Sequence, residues 1–137
     1  PLWSQLQKGF EVQAEDGTTV KPEQVLGEKR SGRKFSFVTD TLFKRSIIDE
    51  VRGSDLLVCE GMFENALEDQ AKEKKHMTAS QAATIAKDAN VRRMCLIHYS
   101  PRYNDKELGV LLEEAQEVFP QTELSKDRMQ IDIPYID

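Results

Sequence analysis

This chain is poor in the side chains that usually betray chemistry. It holds two histidines and two cysteines in 137 residues. Cys59 and Cys95 both fall inside apolar runs, and neither belongs to a CxxC pair. That spacing excludes a cysteine-built structural zinc and a disulfide framework, and predicts two reduced core residues in an intracellular, cytoplasmic setting. No apolar stretch approaches the roughly 20 residues that cross a bilayer, so no transmembrane helix is expected. The opening Pro1-Leu2-Trp3 lacks an initiator Met and the basic and apolar regions of a secretory leader. Internal repeats, low-complexity stretches and linkers are also missing. With a net charge of −5, a bulk electrostatic grip on a long polyanion is excluded. Any nucleic-acid contact must be local or supplied by another segment, and the small basic clusters (Lys29-Arg30 with Arg33-Lys34, Lys72 with Lys74-Lys75, and Arg92-Arg93) read as solvated surface.

What is present is ordinary for a globular protein, with 39% apolar and 31% charged residues, enough for one domain over 1–137. Leu2, Trp3 and Leu6 mark a short opening helix. Phe10-Glu11-Val12 and Thr18-Thr19-Val20 flank the hairpin signal Asp16-Gly17, and Pro22 opens a helical turn that Gly27 closes. From position 35 the chain becomes regular. Strands are predicted at 35–39, 55–59 and 94–97. Between and after them come a helix with Leu42, Phe43, Ile47, Ile48 and Val51 on one side, one near 64–75, and one opened by the capping pair Thr78 and Gln81. The last of these carries a narrow face of Ala79, Ala82, Ala83, Ala86 and Ala89. Asn104 and Glu107 open another helix, which Pro120 ends, and Met129, Ile131 and Ile133 alternate as a final strand. The class is α/β, a mixed sheet with helices packed on it.

Three of these strands end on groups that bind or transfer protons: Asp40, Glu60 and His98. Open α/β sheets gather ligands at their carboxyl edge. Catalytic zinc takes three protein ligands and a water, and in two-metal sites a carboxylate bridges ions about 3.5–4 Å apart. Asp40 suits such a bridge and His98 a terminal position. His76 lies two residues before a helix N-cap, where an anion such as phosphate is favoured and an imidazole can protonate a leaving oxygen. The plainer alternatives stay open. Asp40 can cap the following helix, His98 can be a core histidine, His76 can belong to a surface loop, and Glu60 can cap or support a neighbour. The ligands are too few to complete a metal site.

At these residues the chain resembles the ribonuclease Z family of the metallo-β-lactamase superfamily, the tRNA 3′-processing endoribonucleases. Thr39-Asp40-Thr41 stands where that family has Gly-Asp-Thr. Cys59-Glu60-Gly61-Met62-Phe63 stands for His-Glu-Ala-Thr-Phe, and His76-Met77-Thr78 for His-Ser-Thr. His98-Tyr99-Ser100-Pro101-Arg102-Tyr103 is close to His-Phe-Ser-Pro/Ser-Arg-Tyr, while Pro1-Leu2-Trp3 and Lys21 to Gly27 resemble the segments after the family's tRNA-gripping arm. The resemblance implies that Asp40 bridges metals and His98 ligates one, with His76 beside the scissile phosphate and Glu60 orienting a neighbour. It further implies that Ser100 and Arg102 meet substrate or brace the turn. Two zinc ions would fill the complete site. The family's His-x-His-x-Asp-His motif is absent, so the chain resembles only the carboxyl-terminal half of an αββα sandwich and is expected to be inactive alone. Its open sheet face would be covered by the missing half or by a second copy in a homodimer, and precursor tRNA would be the substrate of the complete enzyme. Two alternatives are a metallo-β-lactamase-fold hydrolase of another ester or phosphodiester, and a non-catalytic dimerisation or scaffold module.

Overall fold

A computed structural model describes residues 2–28 and 32–135. Pro1, Lys29 and Arg30, named above, lie outside the described residues. The described residues fall into two compact units, one within 1–32 and the other over 33–135.

The first unit follows its local signals. Helix α1 (Leu2–Gln7) buries Leu6 and stops before Gly9, and strands β1 (Val12–Gln13) and β2 (Thr19–Val20) pair antiparallel. Their turn is built as Asp-Gly turns are: Gly17 takes φ +82° and Asp16 Oδ1 accepts the Thr18 amide at 2.9 Å. Helix α2 (Pro22–Val25) begins on its proline.

The second unit is a four-stranded sheet in the order β3 (Phe35–Val38), β4 (Leu56–Glu60), β5 (Met94–Ile97), β6 (Thr122–Leu124), with every pairing parallel. The α/β class stands, but the sheet is parallel throughout rather than mixed. Each of the first three strands is followed by a crossover that carries the chain back to the end where the strand began, which makes its neighbour parallel. The crossovers are α3 (Arg45–Val51), then α4 (Glu68–Glu73) with α5 (Ala79–Asp88), then α6 (Leu108–Val118). Leu57, Cys59, Met94 and Leu96 of the sheet share one core with Ile48, Val51, Ile85, Leu111 and Ala115 of the helices. The five alanines from 79 to 89 are all fully buried, so the small-residue face does bring the α5 backbone close to its neighbours. The capping box of α5 forms as read, with Thr78 Oγ1 accepting from Gln81 N and Gln81 Oε1 from Thr78 N. Asn104 and Glu107 exchange the same bonds, but these close the turn before α6, whose N-cap is Glu107 without a side-chain cap bond.

Two expected elements differ. Helix α3 starts at Arg45, leaving Leu42 and Phe43 in irregular chain ahead of it. The final strand is β6 at 122–124, whereas 129–133 is irregular. Its alternation belongs to an extended segment held by side chains: Arg33 Nη1 donates to Ile133 O at 2.9 Å, and Arg93 Nη1 to Asp132 O. On β3, Ser36 and Val38 face the helices, while Phe35 and Phe37 point away and stay more than half exposed.

Candidate metal centre

Parallel pairing sets the geometry of the site. Val38 stands opposite Cys59, Cys59 opposite Leu96, and Glu60 opposite Ile97, so the three strands end at one edge. Asp40 and His98 then leave the strands in the left-handed region, at φ +48° and +59°. Such backbone is uncommon outside glycine, though Asp and His tolerate it better than most, and it clusters at functional sites. Here it turns both side chains across the edge toward each other. His98 Nδ1 lies 3.2 Å from Asp40 Oδ1, and Thr39 Oγ1 donates to the same oxygen at 2.7 Å.

His76 arrives from a different element. Its amide donates to Ala71 O at the end of α4, and Lys75 before it takes φ +62°. Two further ties, Met62 N to Met77 O and Ala79 N to Phe63 O, pin segment 76–79 against the turn after β4. The imidazole rings of His76 and His98 meet edge to face with centroids 5.1 Å apart. Asp40, His76 and His98 thereby bring one carboxylate oxygen and two ring nitrogens within 4.8 Å of one another. That donor set, hard oxygen with borderline imidazole, fits zinc and similar divalent ions, and it leaves coordination positions to be filled from elsewhere.

Glu60 lies beneath this group, with no exposure at all. Its Oε2 is 3.0 Å from His76 Nδ1 and accepts the Met77 amide at 3.4 Å, while Oε1 accepts the Thr41 amide at 2.5 Å. One carboxylate thus ties the loop carrying Asp40 to the segment carrying His76. A carboxylate on Nδ1 fixes the ring so that Nε2 is the nitrogen left for chemistry. Of the alternatives for Glu60, support of a neighbour is what the bonds describe. Asp40 caps no helix, since α3 begins five residues later.

Ser100 and Arg102 occupy the turn after His98. Ser100 is buried, its amide bonded to Met62 O and its carbonyl accepting from Tyr103 N. Arg102 Nη2 donates to Gln70 Oε1 at 2.9 Å, and its guanidinium sits 5.2 Å from the centre of the Phe63 ring. Both brace the turn, and neither touches the Asp40–His76–His98 group through a hydrogen bond. Tyr99, which composition gave no reason to notice, holds the strand end: its hydroxyl donates to Leu96 O and accepts the Ser125 amide. Burial raises that phenol above its ordinary range. Cys59 and Cys95 are free and buried, as expected.

Comparison with known proteins places this geometry. A Beta-lactamase superfamily domain matches residues 8–99. The chain belongs to the beta-lactamase superfamily. It is 64% identical over 137 residues to a ribonuclease Z of Treponema denticola and 44% identical over 135 residues to one of Clostridium tetani. These matches cover 100% and 98% of this chain, but 44% and 42% of the relatives, so the chain spans less than half of their length. Among solved structures it is similar to human tRNase Z, short form, with TM-score 0.59, 28% identity, and coverage of 85% of this chain and 37% of that one. The metallo-beta-lactamase fold protein YhfI of Bacillus subtilis also gives TM-score 0.59, with 26% identity over 67% of this chain and 37% of the other. The α/β architecture is therefore that of part of a metallo-β-lactamase fold. Among the described residues, no helix is long and apolar enough to cross a membrane.

Proposed function

We propose that this chain is the carboxyl-terminal part of a zinc-dependent ribonuclease Z whose complete form cleaves precursor tRNA at its 3′ end in the cytoplasm. The convergence of Asp40, His76 and His98 above the buried Glu60 carries the reading, and the identity to two ribonucleases Z supports it. Asp40 and His98 would hold metal. Zinc, when bound, supplies Lewis-acid stabilisation of the charge that grows on the phosphoryl oxygens. The remaining work falls to the protein. Glu60 keeps the His76 ring oriented through Nδ1, and as the oxygen of water bonds to phosphorus and the P–O3′ bond breaks, His76 delivers a proton from Nε2 to the departing 3′ oxygen, leaving a 3′-hydroxyl on the tRNA and the phosphate on the released 3′ segment. Proton delivery of this kind contributes about a hundred- to ten-thousand-fold to rate. Ser100 and Arg102 hold the His98 turn in place beside substrate.

On this reading the chain alone is inactive, because Asp40 and His98, one carboxylate and one imidazole, leave a zinc site incomplete. The exposed Phe35 and Phe37 are the part of the sheet that its partner covers, whether the rest of the sandwich or a second copy. Supplying the chain with the remainder of the Treponema denticola enzyme tests this. The reconstituted protein is expected to bind zinc and cut precursor tRNA, and His76→Ala to lower kcat by at least about a hundredfold while zinc content holds. Reconstitution that yields neither zinc binding nor cleavage would overturn the proposal.

A further inference from the structure

Beside His76 lies a hollow of about 210 Å³ lined by Leu42, Phe43, Glu68, Lys72, His76 and Gln81. We infer that this hollow is a nucleotide subsite, in which the base flanking the scissile phosphate lies against Leu42 and Phe43 while Lys72 meets a phosphate oxygen. The inference deepens the ribonuclease reading and rests on it.

Size is the first argument. Pockets for drug-sized ligands run to roughly 300–1,000 Å³. This one has room for a single base, and more of the strand must pass over the open surface. Composition is the second. Leu42 and Phe43 are half-buried and make an apolar wall, and they stand there because α3 starts late and leaves them in the irregular chain ahead of it. Apolar and aromatic walls hold bases by their flat faces with little regard to identity. Opposite lies a polar rim in which Gln81 Nε2 donates to Glu68 Oε1 at 2.9 Å, which positions both groups without consuming their remaining hydrogen-bonding capacity.

Charge is the third. Lys72 is exposed in the last turn of α4 and makes no ion pair among the described residues. In a chain of net charge −5, polyanion contact has to come from individual lysines and arginines placed near the chemistry. Location is the fourth. His76 lines the hollow and is also the group that meets the departing 3′ oxygen, so a base seated here is one nucleotide from the reacting phosphorus.

The test has two arms. Adenosine 5′-monophosphate titrated into the isotopically labelled chain is expected to shift the NMR signals of Leu42, Phe43, Lys72 and Gln81 saturably, and Lys72→Gln to weaken that binding about tenfold. Shifts that are absent up to tens of millimolar, or unchanged in Lys72→Gln, would overturn the subsite. In the second arm the reconstituted enzyme cleaves precursor tRNA. Lys72→Gln and Phe43→Leu, which stays apolar but loses the ring, are each expected to raise KM about tenfold. Cleavage with wild-type KM by both variants removes the subsite and leaves the ribonuclease standing. Nucleotide binding at these residues without any cleavage does the reverse.

Discussion

Glu60→Gln is the substitution that asks most of the site. The two side chains have nearly the same shape, so packing is not at issue. Glu60 receives three N–H groups on two oxygens, from Thr41 and His76 at Oε1 and Oε2 and from Met77 at Oε2, in a place with no access to water. Glutamine offers one oxygen and one NH₂. If the NH₂ takes the Oε1 position, it confronts the Thr41 amide, donor against donor. If it takes Oε2, it confronts Met77 N–H, and His76 must change tautomer to accept. Either way one buried amide loses its acceptor, at about 1–3 kcal/mol, and the remaining bonds lose the strengthening that a charged acceptor provides. A loss of about 2 kcal/mol is expected, a sizeable share of the 5–15 kcal/mol typical of a folded domain. Urea unfolding measures the stability, and ¹⁵N chemical shifts of His76 report which ring nitrogen carries the proton. A loss under about 0.5 kcal/mol, the scatter of ordinary surface changes, with the proton still on Nδ1, would refute the role given to Glu60.

Two further outcomes follow from the structure. Thr78→Ala removes the side chain that caps α5 at the point where the chain delivers His76 to the site, and should cost about 1 kcal/mol by urea unfolding, while Thr78→Ser keeps most of it; equal stability of all three proteins would deny the cap. Burial, with Glu123 adding to it against Arg93, raises the Cys95 thiol to about 11 from its usual 9.0. The native form therefore keeps its proton longer than the unfolded form, so this contribution to stability is intact below pH 9 and fades as pH climbs from 9 toward 11. At pH 8 a thiol reagent should label Cys95 only as fast as the protein unfolds, and rapid stoichiometric labelling of the native chain would contradict its burial.

Much of this molecule was legible before any coordinates. The capping pairs at 78 and 104, the Asp-Gly turn and the apolar strands ending on Asp40, Glu60 and His98 all rest on short-range physics, because backbone amides near a helix start or a tight turn are satisfied by side chains two or three residues away. The misreadings came where local pattern is ambiguous. Alternation at 129–133 describes any extended segment with one side covered, and here the partners are arginine side chains rather than a neighbouring strand. Thr122–Leu124 is too short and too polar to announce itself, and becomes a strand because β5 offers it a ladder. Leu42 and Phe43 share the spacing of α3 without its conformation.

The candidate site divides along the same line. Sequence alone named the candidate residues, since only two histidines exist and each opens a motif that carries the family resemblance, His76-Met77-Thr78 and His98 to Tyr103. It also decided that the metal donors are too few, because counting side chains needs no geometry. Tertiary structure decided how they meet. Parallel pairing of β3, β4 and β5 brings ends 20 and 38 residues apart to one edge, positive φ at Asp40 and His98 turns the two side chains inward, and Glu60 binds three backbone and ring donors that no spacing along the chain could have foretold. A carboxylate can be known from the sequence, but what it does depends on which N–H groups the fold leaves within its reach.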